Sequence, residues 1–444
     1  MATQVLVWFI HQKCRVPTRS ETLGSNFLQG SVAVRVFLCF ACGYALSFAL
    51  RTVNAVIAPD LVAEFGLSNA QLGALSSAYF FSFAAMQLPL GVWLDRFGSR
   101  KTHALLLCVA AIGCVCFGLS QETWMLWLGR ALIGMGVSGA LMASFRAFRF
   151  WYPAEQQSQL ASWMLVAGSL GALASTLPVQ WAMPLIGWRG LFNLIALLLM
   201  VASALIYFVL PTEPAATSKL SDNPWAGYVT VFKDRYFWRF AAPGIGMQAS
   251  FVAFQSLWAG PWLIQVLGMS ADESATTLLI LNFFLMVVYL LLGWASPKLE
   301  LKGWTPLQLA SMGGVLMLVA QTGMVFFQGP WAWMLWLLLG LGSTTFMLTQ
   351  SHVNQNFPPQ LAGRAFTAYN LLLFAGMFLA QWLFGVLIDV LGTLPNIGRN
   401  DLAFRGAMLV WVVFEAATLA VMVFWRVPRT YVPALVTAHA ATSK

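Results

Sequence analysis

Three arginines, Arg51, Arg130 and Arg146, and one histidine, His352, stand inside long apolar stretches of this chain. A guanidinium keeps its charge and presents a planar fork of donors that matches carboxylate or phosphate oxygens. No carboxylate lies near Arg51 or Arg146 along the sequence, so the pair suits an organic anion. Tyr44 and Asn54 share the face of Arg51 by helical spacing. Gln248 and Gln255 share a second face, and Asn282, Gln350 and Asn370 add uncharged polar groups. His352 is the mid-helix side chain expected to change charge near neutral pH, as a proton carrier or as a hydrogen-bonding group for the anion. The competing reading is structural: Arg51 and Arg146 pair with backbone carbonyls or Asp60. Arg130, near a helix end, pairs or snorkels. Glu415 makes a core hydrogen bond, and Trp258 and Trp262 pack.

The elements holding these residues are membrane helices. The 444 residues are 59% hydrophobic and only 9% charged, too few charges to cover a water-facing surface. Soluble enzymes, disordered chains and nucleic-acid binders are thereby excluded. The apolar runs are continuous, as in 104–119 and 191–210, which excludes the alternating strands of a membrane β-barrel. At about 20 residues per crossing, twelve helices are expected near 34–58, 70–93, 102–120, 124–150, 158–182, 188–210, 239–267, 273–296, 305–328, 331–353, 364–390 and 403–427. Residues 211–238, rich in Pro, Ser and Lys, read as a flexible linker between six helices and six. Residues 1–33 and 428–444 read as tails.

Arginine and lysine set the orientation. Eighteen of the 24 fall in segments on the side of the N-terminus, while Arg189, Arg399 and Arg405 fall opposite, so both tails are expected in the cytoplasm. The net charge of +9 is thus a topology signal. The halves repeat: Pro59, Leu61, Gly66 and Ser68 recur as Pro261, Leu263, Gly268 and Ser270, and Gly134-x-Gly136 recurs as Gly340-x-Gly342. By that repeat His352 is expected opposite Arg146. Cys39 and Cys42 read as packing residues, and no His/Cys spacing fits a metal. No phosphate-binding glycine loop is present, so neither a cofactor nor ATP is expected.

The segment Gly91-Val-Trp-Leu-Asp95-Arg96-Phe-Gly98-Ser-Arg100-Lys101 resembles the loop 2–3 signature of the major facilitator superfamily, with Ser99 as the one departure. The resemblance covers 34–427. It implies an all-α fold of twelve helices in two pseudo-symmetric six-helix bundles, and a gate in which Asp95 and the cations latch the two halves while Gly98 makes the turn. The second copy, from Gly293 to Glu300, lacks the aspartate. The first helix, Phe48-Ala-Leu-Arg51-Thr-Val-Asn54, resembles that of organophosphate antiporters and anion:cation symporters, which implies an anion-binding role for Arg51. Arg146, in R-x-x-R-x-W-Y-P, resembles an arginine on the fourth helix of anion symporters. Leu50 replaces the acidic residue those symporters often carry, so proton coupling through it is not implied. The fifth helix lacks the Gly-Pro-x-x-Gly-Gly of proton-driven drug antiporters.

The combined expectation is a monomeric secondary transporter of a carboxylate or phosphate ester in a bacterial inner membrane, working by uptake, with protons as a candidate coupling ion. Drug or metabolite efflux is the first alternative. A membrane receptor or assembly protein without transport is the second.

Overall fold

The computed structural model describes residues 28, 30–153, 156–211, 226–394 and 400–428, and all regular structure in them is helical. Most of both expected tails, residues 212–225 of the expected linker and the Asp95 side chain lie outside the described residues. Eight helices among them are long and apolar enough to cross a membrane, and Gln159–Ala174 and Met334–Gln350 are shorter apolar helices. Large apolar side chains such as Leu185, Phe208 and Leu301 point outward, as hydrocarbon solvent permits.

The first part of the chain comprises α1 (Gly30–Thr52), α2 (Asn54–Phe65), α3 (Asn69–Gly118), α4 (Thr123–Val137), α5 (Ala140–Trp151), α6 (Gln157–Ala174) and α7 (Leu177–Val209). The break between α1 and α2 is slight, since Val53 N still donates to Ala49 O at 2.9 Å. α3 is two helices joined at Gly98, whose φ of 75° and ψ of 170° are open to glycine almost alone. The turn expected there is therefore real, and a side chain would strain it by about 1–3 kcal/mol. Gly187 bends α7 the same way. Ser68 and Gln71 form a reciprocal capping box that starts α3.

The second part comprises α8 (Ala226–Lys233), α9 (Arg235–Pro243), α10 (Ala249–Ala253), α11 (Ala259–Gln265), α12 (Ala271–Leu301), α13 (Pro306–Phe326), α14 (Met334–Phe346), α15 (Leu348–Gln355), α16 (Pro359–Gly392) and α17 (Asn400–Phe424). This corrects the flexible linker: nearly half of it, from Ala226 on, is helical, and Asp234 caps α9 by accepting from Tyr236 N at 2.7 Å. Pro and Lys in the segment suggested a break, but an apolar face of α8 packs on α16, with Gly227 seated against the Arg364 side chain. From α9 to α11 the chain is one rod with π-helical turns at Gly244–Gln248 and Phe254–Trp258.

Small residues set the closest helix contacts. A Cβ on Gly134 would strike Tyr79 O, one on Gly171 would strike Ala45 O, and one on Gly260 would strike Ala55 O. Such sites let backbones approach where lipid supplies no hydrophobic drive. The Gly260 contact joins the first part to the second.

Candidate functional site

Arg51 sits near the end of α1, at the seam between the two parts. Its guanidinium carbon lies 4.5 Å from the Phe48 ring centre, 5.5 Å from that of Phe374 and 6.0 Å from that of Phe83. Phe83 on α3 and Phe374 on α16 stack across the seam with centroids 3.9 Å apart. These ring faces attract the cation without neutralising it. No ion pair to Arg51 occurs among the described residues, and its Nε is buried without a hydrogen-bond partner. Tyr44 on α1 and Tyr289 on α12 are both within electrostatic reach of the guanidinium, so phenols from both parts lie near one charge, that of Tyr289 hydrogen-bonded to Thr344. Tyr289 was not evident from sequence, because an isolated tyrosine in an apolar run carries no spacing signal.

Further polar pairs lie along the same seam. Asn370 Nδ2 donates to Gln87 Oε1 at 3.3 Å, one turn from the stacked phenylalanines. Gln255 Nε2 donates to Asn282 Oδ1 at 2.8 Å, and Asn282 Nδ2 donates to Leu278 O at 2.8 Å. Gln248 is buried in the first π-turn with Oε1 unpartnered. Asn54 differs from expectation. It is 1% exposed and donates to Ser76 Oγ at 2.6 Å, so it ties α2 to α3. Thr52, on the next turn from Phe48, pairs with Ser175 Oγ at 2.6 Å.

Helix register separates Arg146 from Arg51 along the cavity expected between them. Phe148 packs edge-on against Phe40, and Tyr152 Oη donates to Ala33 O at 2.5 Å. At 1.5 Å rise per residue this sets Arg146 about 13 Å from Arg51 along the axes. Its guanidinium lies 5.5 Å from the Phe150 ring centre. Arg130 does not snorkel: it is 1% exposed, donates to Leu50 O at 3.2 Å and lies between the Tyr79 and Phe117 rings.

His352 is close to the ring of Tyr236, whose hydroxyl is 3.0 Å from Nε2, and it packs edge-on against Phe240. It therefore faces α9. It is also not the sole histidine in the helical core. His103 on α3 is fully buried, stacked on Phe40 at 5.6 Å, with both ring nitrogens unpartnered. Trp258 and Trp262 are buried, and Trp258 Nε1 donates to Gln381 O at 3.0 Å, as packing residues do.

At the Gly98 end, Gly91 and Arg96 are exposed, and Arg96 lies over the Phe97 ring. Lys101 is exposed too. Arg100 donates to Leu210 O at 3.2 Å and lies 5.4 Å from the Tyr207 ring centre. Both contacts lie within the first part. A latch is present at the opposite end. Asp389, near the end of α16, accepts from Asn69 N at 3.1 Å, from Asn69 Nδ2 at 2.9 Å and from Ala70 N at 2.8 Å. It thus occupies the positive N-terminus of α3 in the other part. Gln180 donates to Asp272 at 3.2 Å on the same face. Sequence spacing gave no hint of Asp389, whose partners are 320 residues away.

Known proteins place this architecture. The chain is 27% identical over 179 residues to a probable sulfoacetate transporter, SauU, of Cupriavidus necator, covering 40% of this chain and 41% of that one. It is 24% identical over 255 residues to a probable nitrate/nitrite antiporter, NarK1, of Thermus thermophilus, covering 54% and 56%. It is 26% identical over 172 residues to a D-galactonate transporter of Escherichia coli, covering 38% and 40%. The matched stretches thus span roughly half the length or less of these curated relatives. In fold, the chain matches a bacterial homologue of the human lysosomal transporter Spinster, inward-facing and occupied, at a TM-score of 0.74 and 18% identity, covering 89% and 97%. It matches a D-xylose-proton symporter at a TM-score of 0.74 and 17% identity, covering 90% and 99%. The family model of the Major Facilitator Superfamily aligns with residues 40–381, and with the glycine turn at 98 and the all-helical fold this makes the chain a multi-pass membrane transporter of that superfamily.

Proposed function

We propose that the protein is a secondary transporter that takes up a small organic anion across a bacterial inner membrane, and that Arg51 holds the anion. The observation that carries this reading is a guanidinium at the seam of the two parts with no carboxylate beside it. An arginine at membrane depth costs about 2.5 kcal/mol or more, which favours a functional cavity over a chance placement. Tyr44, Tyr289, Gln255, Asn282 and Asn370 orient the rest of the substrate, and Gln248 stands behind them. Arg146 serves as a second cation farther along the path. The relatives named for sulfoacetate, nitrate and galactonate support an anionic substrate.

The reading includes twelve spans in two six-helix bundles, 34–210 and 239–427. They comprise the eight long helices, the two short ones, the first half of α3 and the rod from α9 to α11. Both termini and the Gly98 loop face the cytoplasm, in keeping with the basic residues there. The Asn69 face is closed in this state, and the bundles rock about the Arg51 level. Gly91, Asp95, Arg96, Gly98, Arg100 and Lys101 form the cytoplasmic gate. The test is uptake by the purified monomer in proteoliposomes, with labelled sulfonates, aromatic carboxylates, sugar acids and phosphate esters beside neutral analogues. Accumulation of at least one anion, absent for its neutral analogue, is expected. Movement of neutral or cationic compounds alone rejects the reading.

We assign coupling to His352. Its Nε2 is held by the Tyr236 hydroxyl at an end of the rod that must move when the bundles rock. His103 is walled off by Phe40 and Gly43 and has no such path. His352→Gln is expected to abolish accumulation driven by an imposed pH gradient while anion exchange persists. Accumulation equal to wild type removes His352 from coupling.

A further inference from the structure

Glu415 lies on α17, fully buried, and takes part in none of the contacts above. Its Oε1 accepts from Gln321 Nε2 of α13 at 3.1 Å. The two remaining atoms of this pair, Glu415 Oε2 and Gln321 Oε1, are both buried and both without a hydrogen-bond partner. Both are acceptors when the acid is ionised, so an ionised Glu415 leaves two orphans within one hydrogen-bonded pair and a buried charge. Each orphan costs about 1–3 kcal/mol, and the charge costs more. Among the described residues no ion pair reaches it. α13 carries no charged residue. On the rod, Arg239 spends its Nε on Met422 O at 3.0 Å, two turns from Glu415. Arg405 is ten residues away on α17, and Arg364 and Asp389 lie towards the two ends of α16. Trp411, one turn before Glu415, spends its indole N–H on Ser250 Oγ at 2.9 Å while lying within reach of the Glu415 carboxylate.

One proton resolves all three costs. A hydrogen on Glu415 Oε2 turns that atom into a donor, and Gln321 Oε1 is the unpartnered acceptor of the same pair. We propose that Glu415 is a resident proton site: the neutral acid and the Gln321 amide form a two-legged cyclic pair that binds α17 to α13. The proton is held, not transported. With Trp411 bonded to Ser250, α17 is then fastened by polar contacts to both the rod and α13, and the second part moves as one body.

The experiment compares Glu415→Gln, Glu415→Leu and Gln321→Leu in the full-length protein. Glutamine at 415 reproduces both legs, because its amide donates to Gln321 Oε1 as the acid does. Its thermal midpoint and its pH-driven uptake are expected to match wild type, whereas each leucine variant lowers the midpoint by several degrees. The infrared difference between wild type and Glu415→Gln is expected to show loss of a protonated-acid C=O band, present from mildly acidic to mildly alkaline buffer. Loss of a carboxylate band in its place overturns the proposal. So does a Glu415→Gln variant as unstable as Glu415→Leu, or one that folds but no longer responds to the pH gradient.

Discussion

With Arg51 replaced by Gln, the purified protein is expected to keep its fold and lose its anion. The guanidinium makes no hydrogen bond to the protein through Nε, and its described neighbours are ring faces. Removing it deletes cation–π contacts of about 0.5–2 kcal/mol, a modest loss for folding. On the binding side, a charge-assisted hydrogen bond contributes about 1.5–3 kcal/mol, which is roughly ten- to over a hundredfold in affinity. Ligand-induced rise of the thermal midpoint reads both effects at once, because only a bound anion stabilises. Arg51→Lys keeps the charge but not the fork and is expected to fall between. Equal stabilisation of wild type and Arg51→Gln by the transported anion removes Arg51 from the site.

Arg51 was legible in the sequence because a charge in an apolar run is expensive and therefore conspicuous. Its surroundings were not. Phe83, Phe374 and Tyr289 are ordinary residues of apolar helices, and only the packing of α3, α12 and α16 onto α1 gathers them. The offset between Arg51 and Arg146 has the same origin. Helical spacing fixes which side chains share a face, but the relative slide of α1 and α5 depends on contacts such as Phe148 on Phe40. A slide of a few residues decides whether two arginines share a ligand.

Backbone features divide along similar lines. Gly98 could be read as a turn because glycine is uniquely suited to that conformation, and the structure gives it φ 75°. The proline-rich segment after 211 read as a linker, and propensity failed where α8 gains its order from α16. Asn54 looked like a site residue because it shared a face with Arg51, but the hydroxyl of Ser76 claims it. Polar residues inside membrane helices also serve helix pairing, and spacing does not separate that use from ligand binding.

Asp389 yields the second large effect. Its carboxylate accepts three hydrogen bonds from Asn69 and Ala70, all across the seam, at the positive end of α3. In the proposed cycle these bonds exist only while the Asn69 face is closed, so they shift the balance between the two states rather than support either part alone. Asp389→Ala removes all three. At about 1.5–3 kcal/mol for hydrogen bonds to a charged group, the open population of that face is expected to rise roughly ten- to a hundredfold. Ser77 serves as the reporter position. It is fully buried and one helical turn from Gly73, whose Cβ position faces Gln381 across the seam. In a background without other reactive thiols, Ser77→Cys is expected to react with a membrane-impermeant maleimide much faster when Asp389 is Ala, with Asp389→Asn intermediate because one acceptor oxygen remains. The midpoint of unfolding should change little, since each part keeps its own core. Labelling at the wild-type rate in the Asp389→Ala background, with the variant folded, shows that the α3 cap is incidental to closure. The seam is then held by the Phe83–Phe374 stack and by the Gly260 contact with Ala55, which persist in that variant.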